Sequence, residues 1–223
     1  MSRQHGNRAA TRSEIVDRTG GSGRYDALYE AGAGALLWPA TPGRMVRLAA
    51  ELAPPGTALD IGCGDGKNLL YLEQHGWTVD GMDVSRTALE LTHARLRDAA
   101  HEHRGGLTCA DVTSWKPEAT YDLVVCYGLI HCLDDGEVAL LSRRIQQTLR
   151  PGGLLAFAAF NDDLPVPPGH ATGPLVLRSR RSLLSLYPGW HRHAVIHGFI
   201  SEDHLPLVGP HRHSLTWMLL EKP

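Results

Sequence analysis

From Thr57 onward the chain repeats one pattern: a short apolar or β-branched run, a turn rich in Gly or Asp, then an amphipathic segment of helical length. The pattern predicts strands over Thr57 to Ile61, Thr78 to Met82, Leu107 to Ala110, Leu123 to Cys126 and Leu154 to Phe160. Helices are predicted between them near Asn68 to His75, Ser85 to His101 and Gly136 to Leu149, with Ser85 and Asp135 as N-caps. Pro151-Gly152-Gly153 stops the last of these helices, because proline cannot continue a helix and glycine accepts the reversal that follows. Strands alternating with helices imply an α/β domain with a mostly parallel sheet.

Outside this stretch the pattern changes. Beyond Phe160 come a loop holding Pro165, Pro167, Pro168 and Pro174, a predicted helix over Leu175 to Leu186, and two strand candidates at Ala194 to Ile200 and Ser214 to Leu220 that suit antiparallel pairing. Ahead of it, helices are predicted from Tyr25 to Ala31 and from Gly43 to Leu52, the second carrying Met45, Leu48, Ala49 and Leu52 at helical spacing. Residues 1–23 are polar, lack apolar periodicity and end in Gly-Gly-Ser-Gly, so they are expected to form a disordered leader, with residues 24–223 as one domain.

Composition narrows the partners. A formal charge of −2 without a dominant basic block gives no field for gathering a polyanion, so a small-molecule partner is expected and a nucleic acid is not. No apolar run approaches the ~20 residues that a spanning helix requires, so no membrane partner is expected. Cys63, Cys109, Cys126 and Cys132 lie in or beside apolar strand-like segments with no secretory segment ahead of them, and read as free thiols in a cytoplasmic protein, monomer or homodimer.

The densest chemical signal is Leu59-Asp60-Ile61-Gly62-Cys63-Gly64-Asp65-Gly66, a buried strand running into three glycines at alternate positions. Glycine lets backbone approach a ligand closely and bend sharply. A dinucleotide fingerprint would need glycine where Lys67 stands, so the segment suits a ligand without a pyrophosphate: a backbone ledge for an amino-acid tail and a ribose. Asp60 could organise that ledge or take the ligand's ammonium through water. Asp83 ends the second strand where a carboxylate can accept both ribose hydroxyls, and Asp111 with Val112 ends the third where an amine and a ring face can be met. The three edges converge on the crevice where open α/β sheets bind ligands.

These residues, with Tyr121-Asp122-Leu123-Val124-Val125 and Leu149-Arg150-Pro151-Gly152-Gly153 in order and spacing, resemble the class I S-adenosylmethionine-dependent methyltransferases from about Tyr25 to the C-terminus. The start Asp-Ile-Gly-Cys-Gly-Asp-Gly-Lys-Asn looks most like the small tellurite-resistance and thiopurine-type branch. The resemblance implies a Rossmann-like seven-stranded sheet, mostly parallel with the last strand antiparallel and helices on both faces. It implies S-adenosylmethionine as cofactor and S-adenosylhomocysteine as product. The cofactor would meet Asp60, Gly62, Cys63 and Gly64, with Asp83 and Val84 at the ribose, Asp111 and Val112 at the adenine and Cys126 at the fourth strand. Residues 24–52 would form a helical lid bringing Tyr25, Tyr29 and Trp38 over the site.

Methyl transfer from a sulfonium is an in-line displacement that mainly needs alignment and exclusion of water. A hydroxyl or thiol acceptor also needs a base, for which His131, after the fourth strand, is the candidate, with an equal case for a bracing role. Tyr127 would wall the methyl group. No resident metal is expected, although His191/His193 and His211/His213 are candidate ligands, four nitrogens that neighbouring strands could bring together. Two alternatives stand beside the enzyme: a non-catalytic S-adenosylmethionine sensor of the same fold, and a nicotinamide-dependent oxidoreductase that Lys67 disfavours.

Overall fold

A computed structural model describes residues 16–17, 23–31, 41–166, 175–204 and 208–223. Their strands are β1 (Val16–Asp17), β2 (Thr57–Ile61), β3 (Thr78–Asp83), β4 (Leu107–Cys109), β5 (Tyr121–Tyr127), β6 (Leu149–Phe160), β7 (His191–His204) and β8 (Val208–Glu221). Their helices are α1 (Gly23–Ala31), α2 (Arg44–Leu52), α3 (Lys67–Gln74), α4 (Arg86–Asp98), α5 (Asp135–Thr148) and α6 (Arg180–Leu184). The sheet runs β1-β4-β3-β2-β5-β6-β8-β7. Seven of these strands form the expected sheet, in which β8 lies antiparallel between β6 and β7 and the rest are parallel to one another. β1 adds a two-residue parallel rung to the outer edge of β4, inside the span expected to be a leader.

β2 is paired on both sides and buried on both faces, which is why Ala58, Leu59 and Ile61 are all apolar, with buried Asp60 the one charged residue among them. Successive strand residues point to opposite faces and feed two separate cores. On one face Met45 and Val46 of α2, Leu69 and Leu72 of α3, and Leu89 and Leu96 of α4 meet Ala58, Leu123 and Val125. On the other, Val138, Leu141 and Ile145 of α5 and Leu183 of α6 meet Leu59, Val124, Leu155 and Phe157. Each such aliphatic side chain contributes about 1.5–3 kcal/mol by leaving water.

Several boundaries differ from expectation. β6 starts at Leu149 and takes in Pro151-Gly152-Gly153, which was expected to be a turn, and β7 and β8 are longer than predicted because they pair with each other along most of their length. The N-cap of α5 is Asp134, not Asp135: its carboxylate accepts the Glu137 N–H while Glu137 reaches back to the Asp134 N–H, a reciprocal capping box. Asp135 is thereby freed to meet Arg178 at 2.8 Å. The helix expected over Leu175 to Leu186 shrinks to α6, because Arg178 forms a parallel bridge with Asn161 and Ser179 caps only the turn that follows. The ends of β2, β3, β5 and β6, the last turns of β7 and the first residues of β8 all reach the same edge of the sheet.

Candidate functional site

The shelf at this edge begins where β2 stops. The Gly62 and Cys63 N–H groups both donate to the Met82 carbonyl, at 2.8 and 3.0 Å, so the turn stays tied to β3. Gly64 has φ +57°, a left-handed conformation that side chains disfavour. A Cβ on Gly64 would also sit 2.8 Å from the Tyr29 hydroxyl, so α1 lies directly over the ledge. From beneath, Thr92 donates to the Gly64 carbonyl at 2.8 Å and Arg95 pairs with Asp65 at 2.7 Å.

Asp60 lies under this ledge, 1% exposed, and neither of its carboxylate oxygens has a hydrogen-bond partner among the described residues. Burial first, then the nearby charge of Asp83, pushes its pKa up to about 7. A buried polar group without a partner costs on the order of 1–3 kcal/mol, more if charged. A cationic ligand group at that position would remove the cost.

The other predicted contacts are placed as follows. Asp83 accepts from the Gly64 N–H through one oxygen and from the Ser85 N–H through the other, each at 2.9 Å, so the carboxylate links ledge to helix while burial raises its pKa. Asp111 accepts from the Thr113 N–H at 2.7 Å, which turns the chain after β4. The Val84 carbonyl is met by the Cys109 thiol, and the Val112 carbonyl by Arg144. The side chains of Cys63 and Cys126 are packed in the two cores, and burial pushes the Cys126 thiol up to about 12, far from a nucleophile's range. Tyr25 is half-buried on α1, while Trp38 lies outside the described residues.

His131 and Tyr127 are both engaged by backbone. The Nδ1 atom of buried His131 accepts the Phe160 N–H at 3.2 Å, and its ring stacks on Phe160 with centroids 4.0 Å apart. In the neutral ring this leaves the proton on Nε2. The Tyr127 hydroxyl accepts the Met45 N–H at 2.9 Å, so it anchors the start of α2.

Residues 58–153 match the family of methyltransferase domains. Over those residues the chain is similar to S-adenosylmethionine-dependent methyltransferases. It is similar to a probable thiol methyltransferase 2 of Arabidopsis thaliana, 28% identical over 64% of this chain and 63% of that protein. It is also similar to a probable S-adenosyl-L-methionine-dependent methyltransferase TehB of Haemophilus influenzae, 28% identical over 53% of this chain and 42% of that protein. The chain thus spans less than two thirds of these curated relatives. The crystal structure of TehB from Haemophilus influenzae shares the fold, with a TM-score of 0.72 and 20% identity over 87% of this chain and 67% of that one.

Methyltransferase domains of this class use S-adenosylmethionine as cofactor, and the residues here fit it. The partnerless Asp60 suits its ammonium, and the glycine ledge, crowded by Tyr29, suits a chain laid close against backbone. Several residues that build this site were not singled out in the sequence reading above. Asp26 of α1 accepts from Ser85 Oγ at 2.6 Å and from the Thr87 N–H at 3.1 Å, pinning the predicted lid to the start of α4. Thr92 and Arg95, three apart on α4, turn one helical face to the ledge, a spacing that was legible. Asn68, which accepts the Gly43 N–H at 2.9 Å, and Arg178, which donates to the Ile130 and Leu133 carbonyls, carried no such signal.

The histidine candidates do not converge. His191 is in register with Glu221, and Glu202 with His211, so the two His-x-His pairs sit at opposite ends of the β7–β8 ladder. An antiparallel pair brings the start of one strand to the end of the other, so the four candidate nitrogens do not meet on one ion. His193 pairs with Glu221 at 2.7 Å.

Proposed function

We propose that the chain transfers a methyl group from S-adenosylmethionine to a small-molecule acceptor by in-line displacement, at the carboxyl edge of β2, β3 and β5. The observation that carries this reading is the carboxylate of Asp60 beneath the glycine ledge, which has no hydrogen-bond partner among the described residues. When bound, the cofactor supplies a methyl group made electrophilic by its sulfonium. Asp60 would hold the cofactor's ammonium, the Gly62 to Gly64 backbone its amino-acid tail, Asp83 its ribose, and Asp111 with Val112 its adenine. Tyr29 and Tyr25 would close over it and exclude water.

The position of His131 supports a narrower acceptor class. With Nδ1 committed to the Phe160 N–H, a neutral His131 has no lone pair ready to take a proton. The reading therefore favours an acceptor that arrives nucleophilic, such as a thiolate, a heavier chalcogen anion or an amine, over an unactivated alcohol. The Arabidopsis relative named as a thiol methyltransferase supports the same choice. A cytoplasmic setting suits four cysteines that form no disulfide, and a charge of −2 argues against a nucleic-acid acceptor. No described helix is long and apolar enough to cross a membrane.

The test is production of S-adenosylhomocysteine by the full chain with thiol, selenol, amine and alcohol acceptors. Turnover with a thiol or amine and none with simple alcohols is expected. Cofactor binding without turnover on any acceptor would favour the sensor, and binding of NAD in place of S-adenosylmethionine would overturn the proposal.

A further inference from the structure

At the tip of the β7–β8 hairpin, Glu202, His211 and His213 bring one ligand atom each to within 4.8 Å of one another. We infer that these three residues form a binding site for a borderline divalent cation of the zinc kind, on the acceptor side of the sheet edge.

The strands explain the grouping. Glu202 is directly opposite His211 in the antiparallel ladder, and His213, two residues on, shares the face of His211. Two imidazoles and a carboxylate are the donor set of sites that leave coordination positions open for a further ligand. The distances have the form of shared coordination. His213 Nε2 and Glu202 Oε2 are 3.6 Å apart, long for a hydrogen bond, whereas two ligands each at ~2.1 Å from one tetrahedral ion lie roughly 3.4 Å apart.

The surroundings orient the rings. His211 Nδ1 lies 2.8 Å from the Gly209 carbonyl and must donate to it, which in a neutral ring leaves the lone pair on Nε2. A backbone carbonyl holding the far nitrogen is the usual support of a metal-binding histidine. The buried His213 ring stacks on Phe160 at 4.0 Å, and Phe160 carries His131 on its other neighbour contact, also at 4.0 Å. The cluster thus connects through one aromatic ring to the loop after β5. Glu202 is also near enough for its charge to oppose the lowering that burial imposes on Lys67, the residue that follows the glycine turn. A cation here, with open positions, would take an anionic oxygen or sulfur of a small molecule arriving beside the cofactor shelf.

The inference concerns cation binding and does not depend on methyl transfer. The full chain, without an affinity tag and freed of metal with a chelator, is titrated with Co2+ and followed by its visible absorption, then with Zn2+ by calorimetry. S-adenosylmethionine binding is measured on each sample separately. One equivalent is expected, with affinity reduced on the order of 10–100-fold or more in Glu202→Gln and in His213→Ala, and retained when His191 and His193 are both changed to Ala. Should His213→Ala fail to fold by circular dichroism, Glu202→Gln alone decides. Absence of Co2+ bands and of Zn2+ heat, or undiminished binding in Glu202→Gln, overturns the site, whatever the cofactor titration gives.

Discussion

The Tyr127 hydroxyl, at the end of β5, accepts the backbone N–H of Met45 in the first turn of α2, 2.9 Å away. Gly43 lies so close to the same ring that a Cβ there would fall 2.4 Å from Cε1. The methyl-wall role first suggested for Tyr127 therefore competes with a clamp between strand and helix. Tyr127→Phe leaves the Met45 N–H without its acceptor and is expected to cost about 1–3 kcal/mol. At roughly 2–4 °C per kcal/mol for a domain of this size, a melt by circular dichroism reads the loss. A drop of more than about tenfold in kcat, 1.4 kcal/mol in the barrier, with an unchanged melt would return Tyr127 to the reaction itself.

His131 is expected to serve through Nδ1. Asn places its side-chain oxygen near the Nδ1 position, so His131→Asn should keep the hydrogen bond from the Phe160 N–H and most of the turnover, whereas His131→Ala loses both. Equal loss of kcat in the two variants, with melts like the parent's, would indicate proton transfer by the imidazole.

The latch between Asp26 and the start of α4 predicts a dependence on acid. Burial alone would raise the Asp26 pKa, but hydrogen bonds from Ser85 and Thr87 outweigh it and hold the group below the usual range. A depressed folded pKa means that the latch stabilises at pH above about 4 and is lost as pH falls through the folded value. Asp26→Asn is expected to raise the KM for S-adenosylmethionine several-fold at neutral pH with little effect on the global melt. Equal KM values for parent and variant would release α1 from a lid role.

How far the sequence carries can be judged from particular residues. The alternation of apolar runs with amphipathic segments located β2 to β5 to within about two residues, because strands between two helical layers are largely apolar on both faces, whereas the start of β6 at Leu149 was hidden by its Pro151-Gly152-Gly153 segment, which reads locally as a turn. Gly62, Gly64 and Asp83 were legible because a close turn and a strand-end carboxylate are local features. The Leu175 to Leu186 helix was misjudged where Arg178 bridges to Asn161, a contact between segments that no local period encodes. Glu202 was invisible as a companion of His211 for the same reason: only the hairpin register sets them opposite each other. The isolation of Asp60 depends on every neighbour around it, so its position could be read and its lack of a partner could not.

Gly64→Ala tests the ledge itself. The new Cβ would meet the Tyr29 hydroxyl at 2.8 Å in a left-handed conformation. Cofactor affinity is expected to fall by at least about tenfold, or 1.4 kcal/mol, with part of the loss recovered by adding Tyr29→Phe. Unchanged affinity in the single variant would move the binding surface away from this turn.

Asp60 awaits a cation. Its pKa of about 7 means that without ligand it is mostly protonated at pH 6 and mostly ionised at pH 8. A raised folded pKa in a carboxyl group stabilises the folded chain at low pH and withdraws that support as pH rises through about 7, so Asp60→Asn should raise the melting temperature at pH 8. Binding of an ammonium pulls the group to its ionised form and releases its proton. The decisive measurement is calorimetric titration of the full chain with S-adenosylmethionine at pH 6 and pH 8, in buffers of different ionisation enthalpy. Release of close to one proton is expected at pH 6, little at pH 8, and none at either pH in Asp60→Asn, which binds more weakly. Binding without proton release at pH 6, or equal affinity in Asp60→Asn, would contradict it.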